Sequence, residues 1–307
     1  MMIIPLSIFS IDLTTGNIIL FTSLLMFVAI LLAKVGIKYG VPAMLLFLLI
    51  GMLAGEDGIG IRIDNLHVTE FMGHLAMTII LLSGGLETSL EETRPIIRKG
   101  ISMSTLGVFL TIVITGTFIW FVLGEKIGGA GKTLMGCMLL ATVMSSTDSA
   151  SVFSILRSRR LTLRENLGPL LVLESGSNDP MAYVLTILLV QIMESLESVS
   201  GISGTWHIIL LGIWILIKQI IIGFGVGMAL GHAARWLLTR VSLSSSPMYA
   251  ILILSITLFS NGAASFLGGN GLLALYITAI IIGNTKDLPH RKNILLFSEG
   301  ITWISRS

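Results

Sequence analysis

Residues 170–190 read LLVLESGSNDPMAYVLTILLV, and the fold turns on how this stretch is read. Its flanks are apolar enough to cross a bilayer, yet Glu174, Asn178 and Asp179 lie inside it, with Pro180 next in the chain. Taken as a span from Leu167 to Met193, the helix carries Asp179 to roughly 2 Å from the midplane. An ionisable group at that depth costs about 2.5–3.5 kcal/mol, so it is retained where it faces a water-filled pathway or a partner. The structural alternative is a buried carboxylate that pairs two helices. Glu174 and Asn178, at positions i and i+4, share one face, whereas Asp179 is turned about 140° from Glu174. Asp179 can therefore look into a pathway while Glu174 packs toward a neighbouring helix.

One span earlier lies SSTDSASVF, Ser145 to Phe153. Its hydroxyls and its carboxylate offer the backbone competing local hydrogen bonds, which favours a break over a continuous helix. A span from Thr133 to Leu156 places Asp148 about 5 Å from the midplane, so the break falls at membrane depth. Irregular backbone is tolerated there only where protein or water covers it. A break of this kind frees carbonyls that can coordinate a small cation, with Thr147 and Asp148 at the break itself. The alternative ends the span early and leaves Asp148 as a helix cap. Together, Asp148 and Asp179 make a hard oxygen site for which a monovalent cation and protons can compete.

The whole chain fits this reading. Of its 307 residues, 54% are hydrophobic and 12% charged, which describes a polytopic helical membrane protein and excludes a soluble α/β domain. Nine complete spans and the start of a tenth are expected. They are Ile18–Ala33, Pro42–Ala54, Phe71–Leu90, Ile101–Leu123, the broken fifth from Thr133, the sixth quoted above, Trp206–Ala229, Met248–Phe266 and Leu272–Gly283; the tenth begins in ILLFSEGITWISRS. Lysine and arginine test the division, because short loops rich in them stay cytoplasmic. The loops after the odd-numbered spans hold 14 of the 19, among them Lys34, Lys38, Arg94, Arg98, Lys99, Arg157, Arg164, Arg235, Arg240 and Lys286. Glu56, Asp57, Asp64, Glu70, Glu194 and Glu197 lie in the alternate loops, so the N-terminus is expected outside the cell. The opening MMIIPLSIFSIDLTTGN has no basic n-region and is not read as a cleaved signal peptide.

No long soluble segment interrupts the chain, which reads as one membrane domain over residues 1–307. Gly51 with Gly55, and Gly223, Gly225, Gly227 and Gly231, are expected to admit close helix packing. There is no phosphate-binding loop, no histidine pair at metal spacing and no nucleophile elbow, and the single Cys137 can form no intrachain disulfide. No enzyme activity, cofactor or nucleic-acid partner is expected. Lys218 lies near the centre of the seventh span with Gln219, where a structural role or a shifted span explains it better than a carboxylate partner. Glu87 suits an entrance or interfacial role.

The runs STDSASVFSILRSRRL and RENLGPLLVLESGSNDPMAYVLTILL, with VPAMLLFLLIGMLAG and LLSGGLETSLEETRP before them, resemble the signatures of the bacterial monovalent cation/proton antiporters of the CPA1 family. ESGSNDPMA is most similar to their potassium/proton branch. The resemblance covers nearly the whole chain and implies an all-α inverted repeat of about 13 helices with a broken fifth helix, dimeric, in the bacterial inner membrane. It implies that Thr147, Asp148, Ser175, Asn178 and Asp179 bind the cation or proton, potassium or sodium, and that Glu174 forms an ion pair with an arginine on a later helix. Asn178 before the aspartate resembles the electroneutral type. Measured against this family the sequence reads as a fragment, without the late helices of the second repeat and any cytosolic regulatory domain. Glu299 matches an acidic family position without an assigned role. Two other classes were weighed. A passive cation channel would use the same site without coupling, and an intramembrane aspartyl protease would need Gly-x-Gly-Asp where Gly176, Ser177 and Asn178 precede Asp179.

Overall fold

The computed structural model describes residues 15–39, 41, 43–55, 58, 60, 65–123, 134–158, 161, 163–198, 205–286 and 288–306. The expectations for the N-terminal stretch through Thr14 and for Glu56, Asp57 and Asp64 fall outside them. The described residues are almost entirely helical, and they contain no strand. The helices are α1 Thr15–Tyr39, α2 Ala43–Ala54, α3 Leu66–Glu87, α4 Leu90–Leu123, α5 Leu134–Val143 and α6 Ser149–Ser158. They continue as α7 Leu167–Ser198, α8 Thr205–Arg240, α9 Ser246–Phe266, α10 Gly271–Gly283 and α11 Arg291–Arg306. Four stretches are long and apolar enough to cross a membrane: Leu66–Glu87, Leu90–Leu123, Gly212–Arg240 and Ser246–Phe266. The chain is an all-α polytopic membrane protein.

The fifth span is broken where the sequence placed the break. Helix α5 ends at Val143, residues 144–148 are non-helical, and α6 starts at Ser149. Two other expectations need correction. Arg94, Arg98 and Lys99 are not in a loop, because helical backbone runs from Leu90 through a 3₁₀ turn at Arg94–Ile96 and a π-turn at Met103–Gly107. Arg235 and Arg240 likewise belong to α8, which is 36 residues long. In α8 the residues beyond the apolar run, among them Ala233, Ala234, Leu237 and Leu238, are good helix formers, so the backbone does not stop where apolarity does. In the other stretch Pro95 stands at the start of the 3₁₀ turn, where its missing N–H costs least.

The described residues form two compact units. The first takes residues from 1–80, 148–162 and 299–307. Its core is Ala29, Ala33 and Phe47, with Ile50 and Trp303 packed against it. The Trp303 ring meets Phe47 edge to face at 5.6 Å, and Thr302 Oγ1 donates to the Ile79 carbonyl at 3.4 Å. The second unit takes residues from 81–147 and 163–298 and contains α4, α5, α7, α8, α9 and α10. There Val108, Ile112 and Ala182 join α4 to α7, with Met138 of α5 alongside.

Helix α10 is the most enclosed element of that unit. Nine of its 13 residues are buried, including Leu272, Ala274, Leu275, Tyr276 and Ile282, as suits a helix apolar on all sides. It lies on α8 along Gly223, Gly227 and Gly231. A Cβ at these positions would stand 2.6 Å from the Asn270 carbonyl oxygen, 2.7 Å from that of Ala274 and 2.6 Å from Ile281 Cδ1. Gly225 and Gly51 face open space, so neither admits a neighbour as expected: Gly225 is off the four-residue stripe, and nothing approaches Gly51 within 4 Å. Lys218 Nζ lies over the turn after α9, 3.1 Å from where a Cβ of Gly268 would be. Carbonyls left without helical partners at the end of α9 favour a cation there, a structural role of the kind expected for this lysine.

Candidate functional site

The site grows from the frayed end of α5. Ser145 turns back on the helix, its N–H and its hydroxyl both donating to the Thr142 carbonyl, the hydroxyl at 2.7 Å. That leaves Ser146 and Thr147 to be held from elsewhere, and α7 holds them. Ser146 Oγ donates to Asp179 Oδ1. Ser175 Oγ donates to the Thr147 carbonyl at 2.9 Å. Thr147 Oγ1 donates to the Glu174 carboxylate, 3.2 Å from Oε2 and 3.3 Å from Oε1. Asn178 completes the lock, its Nδ2 donating to Thr147 Oγ1 and, at 3.0 Å, to Glu174 Oε1.

The face-sharing read from the i, i+4 spacing of Glu174 and Asn178 is therefore realised, and Asp179, turned away from them, has a different partner in Ser146. The Glu174 carboxylate accepts from Thr147 and Asn178, both donors within reach on one side of α7. Asn178 is wholly buried. Its amide orientation follows from its neighbours: the nitrogen must face Glu174, since the reverse would set oxygen against oxygen. Oδ1 is then left buried with no hydrogen-bond partner among the described residues. An acceptor left so costs about 1–3 kcal/mol, which a cation or a water at that point would relieve.

Of the sequence-predicted residues, the second unit brings together Thr147, Glu174, Ser175, Asn178 and Asp179. Asp148 belongs to the first unit, where it is half-buried and stands immediately before α6 in the N-cap position. Glu87 ends α3, exposed, and accepts from Ser83 Oγ at 3.2 Å. Glu299 is exposed on α11.

Three residues escaped the sequence reading. Ser146 was seen only as part of a polar patch. Tyr276 is buried in α10, its hydroxyl 3.3 Å from Thr88 Oγ1, and Asn270 donates through Nδ2 to the Pro180 carbonyl at 3.2 Å. A signal existed for both of the last two. A tyrosine inside the apolar run LLALYITAI must find a partner for its hydroxyl, and Asn-Gly before a helix marks a cap.

In this arrangement the free residues of a broken helix are bound by the carboxylates and the amide of a neighbouring span. The family described as "Sodium/hydrogen exchanger, transmembrane" matches residues 22–301, and the chain belongs to that family. Within it, the chain falls with the CPA1 antiporters and their potassium/proton branch. It is 36% identical over 295 residues to the K(+)/H(+) antiporter NhaP2 of Shewanella sp. (strain ANA-3), covering 95% of this chain and 48% of that protein. It is 33% identical over 289 residues to the K(+)/H(+) antiporter NhaP of Alkalimonas amylolytica, covering 94% and 47%. The chain thus spans about half the length of the curated relatives it matches. The sodium proton antiporter MjNhaP1 from Methanocaldococcus jannaschii shares its fold, with a TM-score of 0.76 at 19% identity, over 95% of this chain and 70% of that one.

Proposed function

We propose that residues 1–307 act as one transmembrane antiporter domain, exchanging a monovalent cation for protons by alternating access, with Asp179 as the carboxylate that carries either one. The observation that supports this most is the buried Oδ1 of Asn178 beside Asp179, an acceptor with no donor among the described residues, next to the helix break. Ser175, Thr147 and Asn178 are proposed to supply neutral oxygens, and Asp148, covalently next to Thr147, to contribute charge at the break. Glu174 is proposed to order Thr147 and Asn178 without binding the ion.

Potassium is the proposed cation, supported by the names of relatives at 33% and 36% identity. A single exchangeable carboxylate in the Asn178–Asp179 pair supports one proton per cation. The protein is further proposed to be a homodimer in the cell membrane with its N-terminus outside. The test is direct. In everted vesicles carrying the complete reading frame, Asp179→Asn should abolish potassium-driven proton movement while leaving insertion intact. Near-normal exchange by that variant would overturn the assignment.

A further inference from the structure

Helix α7 has a defect at the turn that matters most. Pro180 has no N–H, so the Gly176 carbonyl lacks its helical donor, and the turn from Gly176 to Pro180 is not fixed by its own backbone. Asp179 is on that turn. Helix α10 meets both ends of it. At the near end Gly176 packs on the Tyr276 ring, where a Cβ would stand 2.6 Å from Cζ. The Tyr276 hydroxyl oxygen is the atom nearest to that Cβ, so the ring and its hydroxyl both lie against the turn. At the far end Asn270 donates to the Pro180 carbonyl while its Oδ1 caps α10 by accepting from the Leu273 N–H at 3.1 Å.

The proton order at Tyr276 can be assigned. Thr88 donates its hydroxyl proton to the Gly84 carbonyl at 2.7 Å, so toward Tyr276 it can only accept. Tyr276 therefore donates to Thr88. Its proton is committed there and is not offered to Asp179. Thr88 is in turn anchored, because Asn284 Nδ2 donates to its carbonyl at 2.8 Å and Asn284 Oδ1 accepts from the Leu90 N–H at 2.8 Å.

We infer that α10 positions Asp179, with Tyr276 and Asn270 holding the two ends of a turn that Pro180 leaves unsupported. This rests on Asp179 being the exchanging carboxylate. Tyr276 and Asn270 are positioning residues in this account and do not touch the ion.

The experiment compares Tyr276→Phe, Thr88→Val, Asn270→Ser and Asp179→Asn, each in the complete reading frame, assayed in everted vesicles over a potassium series with protein amount measured in parallel. Losing one fixing should raise the potassium KM about five-fold with the maximal rate held, the worth of one hydrogen bond. Tyr276→Phe and Thr88→Val should not add in the double variant, since they remove the two sides of one bond. Unchanged KM in both Tyr276→Phe and Asn270→Ser, or a fall in rate that only tracks protein amount, overturns the inference. Retained exchange by Asp179→Asn overturns the underlying assignment instead.

Discussion

Asn178 shows most sharply what one side chain does here. Its amide nitrogen ties Thr147 to Glu174, and its oxygen faces the site unpartnered. Replacing it by alanine should release the break and strip donors from a half-buried carboxylate. We expect Asn178→Ala to lose exchange and about 1–3 kcal/mol of stability, read as a lowered thermal-unfolding midpoint in detergent. Ser146→Ala is a milder case. It leaves Asp179 in place without one donor, so exchange should persist with a several-fold weaker cation dependence, a roughly 1 kcal/mol effect; wild-type kinetics would remove Ser146 from the site. Much at this scale was legible in advance. The spacing of Glu174 and Asn178 and the hydroxyl cluster at the break are local in sequence, and helix geometry converts them directly into proximity. Tyr276 and Asn270 were not, because their partners Thr88 and Pro180 are distant in the chain and only packing brings them in.

At the scale of elements, the stripe Gly223, Gly227, Gly231 decides how near α8 and α10 can come. Gly227→Leu should push its side chain into the Ala274 backbone and destabilise the protein by about 1–3 kcal/mol, measured by thermal unfolding. Gly225→Leu, off the stripe, should be tolerated under the same measurement; equal damage from both would mean that the stripe is not the contact. The sequence listed these glycines together, and only the four-residue period separates the three that pack from the one that does not. Helix ends were the least legible feature. Apolarity marks where a membrane would end, whereas backbone hydrogen bonding continues as long as propensity allows, which is why Arg94, Arg98, Arg235 and Arg240 proved helical.

For the molecule as a whole, the proposed topology can be tested with its own chemistry. Cys137 is buried, so a membrane-impermeant thiol reagent should find little background. With the N-terminus outside, Asn65→Cys should label in intact cells and Ser242→Cys only in everted vesicles; the opposite pattern would invert the orientation. Electroneutral exchange predicts that an imposed membrane potential leaves the rate unchanged, and a clear voltage dependence would contradict one proton per cation.

The break after α5 also bears on how the chain is made. Ser146 and Thr147 are held by Glu174, Ser175, Asn178 and Asp179, which are synthesised only after them. While the ribosome is still short of α7, Thr147 and Ser146 have no side-chain partners at membrane depth, and a break there is poorly tolerated by lipid. The fifth span cannot mature on its own. It must wait beside the translocation channel until the sixth arrives, so that the two leave for the lipid as a pair.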